Sequence, residues 1–244
     1  MPPYKVLTAG DTGLVVEFGD GVDRQLSAFV LALARRLNEA RLEGITETVP
    51  TFRSLMVYYD PLVLPAASLV ARITEALEDL PITHTAGRAW SLPVCYHPDL
   101  APDLAQVAAE SGLAPAQVVE RHRSIDYHVY MVGFLPGCPY LGDLAAELAL
   151  PRRPTPRRRI PAGSLVIANR MTSIVPLDTP NGWHIIGRCP VPLLDRHVEP
   201  MPLLASGDKV TFAPVSLREF EELAERAAAG TLRLQPIETF EAAA

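Results

Sequence analysis

The stretch from residue 127 to residue 188 constrains the fold most, because short alternating runs of apolar residues are interrupted there by glycines and prolines. One run spans 127–135, an arginine- and proline-rich segment spans 151–161, a second run opens at 162–164, and the stretch closes at 181–188. A two-residue period is typical of strands, and glycine and proline mark the turns between them. The stretch predicts a small β-barrel with loops at its mouth.

The first part of the chain has the pattern of two consecutive hairpin–helix units. The predicted elements are strands at 5–9 and 14–18, a helix from Asp23 to about Gly44, strands at 46–49 and 55–59, and a helix at 67–80. Paired strands followed by helices with apolar residues at helical spacing predict a sheet with helices on one face. We therefore expect an α+β N-terminal domain over residues 1–86, with the boundary in the polar stretch 83–88.

The remainder, residues 87–244, is predicted to be a mainly-β second domain. Its elements outside the central stretch are a strand at 90–96, short helices at 102–111 and 115–122, a strand at 209–213, and a helix that begins at Ser216 with a capping box to Glu219. The two short helices have the spacing of a DNA-binding helix-turn-helix. The second of them is short and not notably basic, which disfavours DNA binding.

Charge and composition disfavour several classes of protein. The 244 residues carry a formal net charge of -6, which argues against a general nucleic-acid binder. No apolar run approaches the roughly 18 to 20 residues of a membrane span, and residues 1–5 lack the apolar core of a signal peptide. Three cysteines far apart in the sequence fit reduced thiols. We expect a cytoplasmic protein with no nucleic-acid or membrane partner.

Five arginines between residues 152 and 159 form a dense cationic segment, in which interleaved prolines prevent a helix. Guanidinium groups bind carboxylates and phosphates through paired hydrogen bonds, so an anionic substrate, a nucleotide phosphate or an acidic partner surface is a candidate ligand. The alternative is an extended loop whose charges are only solvated. The segment lacks interleaved aromatic residues, which disfavours RNA.

Three residues each allow a chemical and a structural interpretation. Cys138 lies between two prolines and could be a nucleophile, although a small apolar residue in a turn is favoured. His122, at the end of a short helix, could be a general base, although a cap on the last helical carbonyl groups is favoured. Asp103, at the start of a helix, is favoured as a partner of the helix dipole rather than a catalytic group.

The turn at 136–142 and two later residues are candidates for contact with a ligand or partner. Gly137 and Gly142 permit backbone conformations that other residues resist, so the turn is predicted to present a rigid platform. Trp183 could form the floor of a pocket or be a buried aromatic residue of the barrel, and Ser164 has the position of a turn residue before a strand. The sequence has no GxxxxGK[ST], GxSxG or HExxH motif, so we assign no catalytic residue and expect no metal site.

Short motifs follow one another in a fixed order along nearly the whole chain. They lie at 133–142 (GFLPGCPYLG), 151–153, 156–157, 161–164, 182–183 and 186–188, and on either side at 10–18, 93–96, 102–104 and 207–212. In this order they resemble the KipI/PxpB family. That family comprises the B-type component of bacterial ATP-dependent 5-oxoprolinase, the allophanate hydrolase subunit 1 domain and the sporulation-kinase inhibitor KipI.

The resemblance implies an α+β domain followed by a cyclophilin-like β-barrel. It also implies a B-type subunit that acts with A-type and C-type subunits to open 5-oxo-L-proline to L-glutamate with ATP, which this chain need not bind. The active site would be shared between subunits, so the isolated chain is expected to be inactive. The residues expected to contact the small anionic amide substrate or a partner are His122, Pro136, Gly137, Tyr140, Leu141, Arg152, Arg157, Ser164, Trp183 and Arg188.

Departures from the family pattern leave the substrate open. Residues 168–176 read ANRMTSIVP where the family typically has glycines, a glutamine and a tyrosine, and Asn181 stands where a glycine is expected. A paralogue that acts on allophanate or another urea-type or cyclic amide is therefore an alternative. A second alternative is a KipI-like inhibitor that docks on a sensor histidine kinase through residues 136–141 and catalyses nothing. A prolyl isomerase is disfavoured, because no matching catalytic arginine and aromatic set is found.

Overall fold

The computed structural model describes residues 2–80, 87–196 and 198–240. Contacts between Cα atoms divide the chain into two compact units, with residues 2–80 in the first and Gly87–Phe240 in the second. The stretch in which the sequence predicts the boundary begins at 83, and residues 81–86 lie outside the described residues. The chain is a mixed α/β protein, and each unit has its own apolar core.

The first unit is a four-stranded antiparallel sheet with the strand order β1-β2-β4-β3 and two helices packed against it. Its elements are β1 (Tyr4–Thr8), β2 (Gly13–Phe18), α1 (Arg24–Ala40), β3 (Ile45–Pro50), β4 (Ser54–Tyr59) and α2 (Ala66–Leu77). Alternate residues of the central strands, such as Val16 and Val57, pack against Leu33 of α1 and Ile73 of α2. The predicted helix start is confirmed, since Asp23 accepts a hydrogen bond from the backbone N–H of Leu26.

The second unit is dominated by an eight-stranded sheet. Its elements are β5 (Gly87–Val94), α3 (Leu104–Glu110), α4 (Pro115–Arg123), β6 (Tyr127–Val132), β7 (Pro139–Gly142), a 3-10 turn (Ala146–Leu148), β8 (Arg157–Ile160), β9 (Ser164–Ala168), β10 (Met171–Ile174), β11 (Thr179–Asn181), β12 (His184–Arg188), β13 (Lys209–Pro214), α5 (Leu217–Ala228) and β14 (Glu238–Phe240). The strand order is β12-β9-β10-β7-β6-β13-β5-β14. Strands β8 and β11 pair separately as a two-stranded ribbon.

The large sheet closes into a ring. Cys95, directly after β5, exchanges two backbone hydrogen bonds of 2.9 Å with Arg188 at the end of β12. This bridge joins two strands that stand far apart in the order of the sheet, so the strands from β12 through to β5 enclose an interior. The main apolar cluster draws on all of them, with Leu92, Val129 and Ile186 among its buried members. Helices α3 and α4 add further residues to this cluster.

A smaller apolar cluster lies on the outer face of the ring. In β9, Leu165 and Ile167 belong to the main cluster, whereas Val166 and Ala168 belong to the smaller one. This is the two-residue alternation of a strand with both faces covered. The β8–β11 ribbon and the segment before it lie over this outer face, where Ile160 packs with Trp183. No helix among the described residues is long and apolar enough to cross a membrane.

Candidate functional site

A cavity of about 300 Å³ lies between the outer face of the ring, the β6–β7 loop and the β8–β11 ribbon. The sequence predicted loops at the mouth of a barrel, whereas this cavity lies against the barrel's side. The side chains that face the cavity are those that point outward from the strands, because the alternate side chains point inward and fill the main core. Its lining comprises Phe134, Leu135, Cys138, Tyr140, Arg152, Pro156, Val166, Ser173, Val175, Pro180, Asn181, Gly182 and Trp183.

Three aromatic side chains line the cavity. Trp183 is almost buried, and Tyr140 meets its ring edge to face at a centroid distance of 5.9 Å. Phe134, at the rim, is 73% exposed and has a φ of 68°, a left-handed conformation that is unusual for a residue with a side chain. The wall therefore offers flat apolar surface at its base and an exposed ring at its edge.

Arg152 places its guanidinium over the Trp183 ring, 5.8 Å from the ring centroid, within cation–π range. The backbone on both sides of Arg152 is attached to the neighbours of Trp183. The N–H of Arg153 donates to the carbonyl of Gly182 at 2.7 Å, and His184 Nε2 donates to the carbonyl of Pro151 at 2.9 Å. These two hydrogen bonds fix the position of Arg152 relative to the tryptophan.

Asp103 is the central acceptor of a buried ion-pair network and does not cap its helix. It is 2% exposed and accepts hydrogen bonds from Arg153 at 3.0 Å, from Arg157 at 2.7 and 2.6 Å, and from the N–H of Ile185 at 2.7 Å. Asp103 is the N-cap residue of α3, but its side chain makes no capping hydrogen bond, and the arginines and Ile185 are its hydrogen-bond partners. The network ties the start of α3 to β12 and to the arginine segment.

The pKa of Asp103 reflects two opposed effects. Burial raises this pKa, but the hydrogen bonds from Arg157 and Ile185 and the charges of Arg157 and Arg153 outweigh it, so the pKa lies below its ordinary value. The same pairing raises the pKa of Arg157. The carboxylate is therefore ionised and fully engaged with protein groups.

The other arginines of the segment have different environments. Arg159 pairs with Asp178, whose other oxygen accepts from the N–H of Ala162. Arg158 is exposed, and its side chain has no ion pair or hydrogen bond with a described residue. Only Arg152 lines the cavity. The structure thus separates five arginines that the sequence could not tell apart.

His122 lies inside the ring and away from the cavity. Its Nδ1 lies 3.0 Å from the Tyr96 hydroxyl and its Nε2 lies 3.0 Å from Thr172 Oγ1, while its ring stacks on Phe212. The ring does not cap the helix carbonyl groups, so the capping interpretation is wrong. Burial lowers the pKa of His122 from 6.5 to about 3, so the imidazole is neutral and structural.

Cys138 and Ser173 form the polar part of the cavity floor, with Sγ and Oγ 3.4 Å apart. Burial raises the pKa of the Cys138 thiol, which the contact with Ser173 only partly offsets. A thiolate is the reactive form of cysteine, so this environment favours the structural interpretation. Cys95 and Cys189 are also buried, and all three cysteines are free thiols.

The remaining predicted site residues have structural environments. Leu141 is buried in the main core, and Ser164 donates a hydrogen bond to the carbonyl of Pro161 at 2.7 Å. Gly137 has a φ of 73° and packs against Leu193 and Leu194, while Pro136 is exposed on the same loop. The structure therefore brings together three of the ten predicted residues, namely Tyr140, Arg152 and Trp183.

Arg188 lines a second, wider groove of about 480 Å³. Its Nε donates to the carbonyl of Ala162 at 3.1 Å. The groove runs between α5 and residues 189–193 and is mostly apolar, with Phe220 and Val191 in its wall. It shares one lining residue, Val175, with the first cavity.

Several residues of the site were missed from the sequence. Phe134 and Ser173 were not selected, and neither was His184, whose ring binds the carbonyl of Pro151. Asp103 was assigned a different role. The alternation of apolar residues marked these strands, but it could not show which face would remain open. No group of three or more His, Cys, Asp or Glu residues that could hold a metal is present among residues 2–80, 87–196 and 198–240.

Residues 4–204 match the family model described as the carboxyltransferase domain, subdomain C and D. A relative from Bacillus subtilis (strain 168), named as the B subunit of 5-oxoprolinase, is 34% identical over 236 residues, which cover 91% of this chain and 97% of the relative. A relative of the same name from Escherichia coli O157:H7 is 36% identical over 205 residues, which cover 84% and 93%.

Solved structures show the same architecture. The crystal structure of TTHA0988 is 36% identical with a TM-score of 0.75, and the match covers 83% of this chain and 40% of that one. The urea amidolyase of K. lactis has a TM-score of 0.79 at 18% identity over 96% of this chain and 16% of its own, a likeness of fold alone. This chain thus spans less than half of either larger protein. On these matches and its ordered motifs, the chain belongs to the KipI/PxpB family, whose domain is described as the carboxyltransferase domain, subdomain C and D.

Proposed function

We propose that this chain is the B-type component of an ATP-dependent 5-oxoprolinase, a complex that opens the lactam of 5-oxo-L-proline to give L-glutamate. The observation that carries the proposal is the identity of 34% to the B. subtilis relative, named as the B subunit of 5-oxoprolinase, over 97% of that relative's length. The alignment therefore spans nearly the whole relative and includes the segments of this chain that build the cavity. A-type and C-type subunits would complete the enzyme.

The composition of the cavity supports a shared active site. None of the described lining residues is an aspartate, glutamate or histidine that could act as a general base. The Cys138 thiol has a raised pKa, and His122 lies elsewhere in the buried core. The chain therefore offers a binding surface and lacks a base–nucleophile pair there. We infer that a partner subunit supplies the groups that carry out hydrolysis, and that the isolated chain is inactive.

The same lining does not fit a nucleotide triphosphate. Phosphates are commonly bound by glycine-rich loops and helix N-termini, and neither lines this cavity, which contains one arginine. We therefore propose that ATP is bound elsewhere in the complex, by one of the partner chains. In the shared site, ATP held by the partner chain would transfer its terminal phosphoryl group to the amide oxygen and leave as ADP, which would make the carbon susceptible to attack by water.

We further propose that residues 1–86 and 87–244 are two domains, the second a cyclophilin-like β-barrel. The separate apolar clusters and the bridge between Cys95 and Arg188 support this division and this barrel. The cysteine–arginine bridge is the feature that makes the large sheet a barrel rather than an open layer.

The experiment is ATP-dependent glutamate release from 5-oxo-L-proline by the chain co-expressed with A-type and C-type subunits. We expect release from the three-subunit complex and none from the isolated chain or from the complex without it. If the three chains associate but do not release glutamate, the proposal that 5-oxo-L-proline is the substrate is wrong. The complex would then be assayed with allophanate and other urea-type amides.

Failure of the three chains to associate would contradict the assignment as a subunit. Binding of the chain to a sensor histidine kinase, with inhibition of autophosphorylation, would then support a KipI-like inhibitor. Strong hydrolase activity of the isolated chain would contradict the shared site instead.

A further inference from the structure

The cavity on the outer face of the ring contains one positive charge that no neighbouring group neutralises. Arg152 is the single charged residue among the described lining residues, which include no aspartate or glutamate. Its side chain forms no ion pair or hydrogen bond with a described residue, whereas Arg153 and Arg157 are paired with Asp103. An unpaired guanidinium beside apolar surface favours an anionic ligand, and its planar fork matches a carboxylate.

The backbone that carries this charge is held in place by hydrogen bonds on both sides of Arg152. Hydrogen bonds from Arg153 to Gly182 and from His184 to Pro151 attach the backbone on both sides of Arg152. The Arg153 side chain is in turn held by the buried Asp103. A residue whose backbone is held in this way loses less conformational entropy on binding than one on a free loop.

Asn181 supplies a second donor to the same cavity. Its Oδ1 accepts a hydrogen bond from the N–H of Trp183 at 2.7 Å, so the amide oxygen is engaged. The Nδ2 group makes no hydrogen bond with a described residue and is available to donate. Arg152 and Asn181 thus both bring N–H groups to a cavity that the rings of Trp183 and Tyr140 also line.

We propose that Arg152 and Asn181 form a carboxylate-binding subsite, and that Arg152 determines a preference for a small amide-bearing monocarboxylate over its neutral analogue. The inference deepens the proposed function and rests on it, because 5-oxo-L-proline is such a carboxylate. The cavity volume of about 300 Å³ suits a small molecule, being at the lower end of ligand pockets. The positive charge of Arg152 acts on the cavity wall, because it lowers the pKa of Tyr140, which burial and Cys138 raise.

The test is isothermal titration of the full-length chain with 5-oxo-L-proline and with its neutral amide, 5-oxo-L-prolinamide. The variants are Arg152→Gln and, as a matched control from the same segment, Arg158→Gln, whose side chain is exposed outside the cavity. We expect the wild-type chain to bind the acid about 10-fold more tightly than the amide or better. Arg152→Gln should weaken binding of the acid by about 10- to 100-fold, as expected for a lost charge-assisted hydrogen bond.

Binding of the neutral amide is the internal control for folding. It should be unchanged in Arg152→Gln, because a folded cavity retains its aromatic walls, and Arg158→Gln should match the wild type with both ligands. Equal affinity of Arg152→Gln and wild type for the acid would overturn the subsite. A wild-type chain that does not bind the acid, or does not prefer it over the amide, would overturn it as well.

Glutamate release by the three-subunit complex is measured in parallel, so that the two proposals fail separately. An inactive complex whose chain binds carboxylates through Arg152 would overturn the proposed substrate and leave the subsite standing. An active complex whose chain shows no Arg152-dependent binding would overturn the subsite and leave the function standing.

Discussion

At the scale of single residues, the arginine segment shows what a sequence can and cannot specify. Its composition predicted an anion-binding surface, but the five arginines are equivalent in such a prediction. What distinguishes them is Asp103, which lies about 50 residues earlier and binds Arg153 and Arg157. That contact depends on how α3 is placed against β12, and no local pattern encodes it. Arg152 is then distinguished from the two remaining arginines by its place in the cavity wall, over the Trp183 ring.

Substitution of Arg157 is expected to affect stability first. Arg157 donates two hydrogen bonds to the buried Asp103, so Arg157→Ala leaves a buried carboxylate with fewer partners. We expect the free energy of unfolding to fall by about 1 to 3 kcal/mol, measured by urea denaturation. The sequence predicted that Arg157 contacts the substrate or a partner, so any loss of turnover in this variant must be corrected for unfolding. Arg158→Ala is the control, and equal midpoints for the two variants would contradict the structural role.

His122 should make stability depend on pH in a defined window. Burial lowers its pKa from 6.5 to about 3, so in that interval the unfolded chain binds a proton that the folded chain does not. The contribution of the neutral His122 to the free energy of unfolding is therefore complete above pH 6.5. It is lost as the pH falls towards 3, with a limiting slope of about 1.4 kcal/mol per pH unit. His122→Gln should have a lower free energy of unfolding than the wild type at pH 7. Between pH 6.5 and 4 its free energy of unfolding should change less with pH, as measured by urea titrations followed by fluorescence.

The control for this prediction is His97→Gln, because the His97 side chain is 44% exposed. We expect its profile to follow that of the wild type. Identical slopes for His122→Gln and the wild type would show that protonation of the buried imidazole does not govern stability in this range.

At the scale of elements, the β6–β7 hairpin contains two glycines that are required for different reasons. The sequence predicted that Gly137 and Gly142 both permit unusual backbone conformations. Gly137 does so, with a φ of 73°, but Gly142 does not have a positive φ. A Cβ at Gly142 would lie 2.1 Å from the ring of Tyr130, which is 1% exposed. The glycine is needed there for close packing across the hairpin.

We therefore expect Gly142→Ala to destabilise the second unit by overpacking. The buried Tyr130 ring must shift, which costs about 1 to 3 kcal/mol or more. Thermal unfolding followed by circular dichroism measures the change. Gly21→Ala is the matched control, because its nearest contact would be a side-chain oxygen at 3.9 Å. A melting temperature of Gly142→Ala equal to that of the control would rule out the packing argument.

Most strands and helices were predictable because they follow local rules. The alternation in residues 127–132 and the cap at Asp23 are read directly from neighbouring residues. The β8–β11 ribbon was not predicted, because Arg157–Ile160 carries three arginines and Thr179–Asn181 is only three residues long. The two strands are separated in the chain by β9 and β10, so they do not form a hairpin of their own. The ribbon is what converts a flat outer face into a cavity, so the site escaped prediction with it.

At the scale of the whole molecule, the two units differ in core and topology. The first unit draws its apolar cluster from residues 4–80, and the second draws its own from residues 90–234. We expect a fragment of residues 87–244 to fold alone, with a cooperative urea transition and native-like tryptophan emission from the buried Trp90 and Trp183. A fragment that lacks a cooperative transition while the full chain has one would contradict the proposed domain division.

The pairing of β5 with β13 gives the chain a particular order of events during translation. Ala89 pairs with Lys209, 120 positions later, whereas the described apolar cluster of the first unit lies within residues 4–80. At about 5 to 20 residues per second, a ribosome makes the missing strand roughly 6 to 24 s after β5 has appeared. Through that interval the apolar side chains of β5, Trp90, Leu92 and Val94, have no finished interior to enter. We therefore expect chaperones to bind the nascent chain at this strand, at a time when all four strands of the N-terminal sheet have been made.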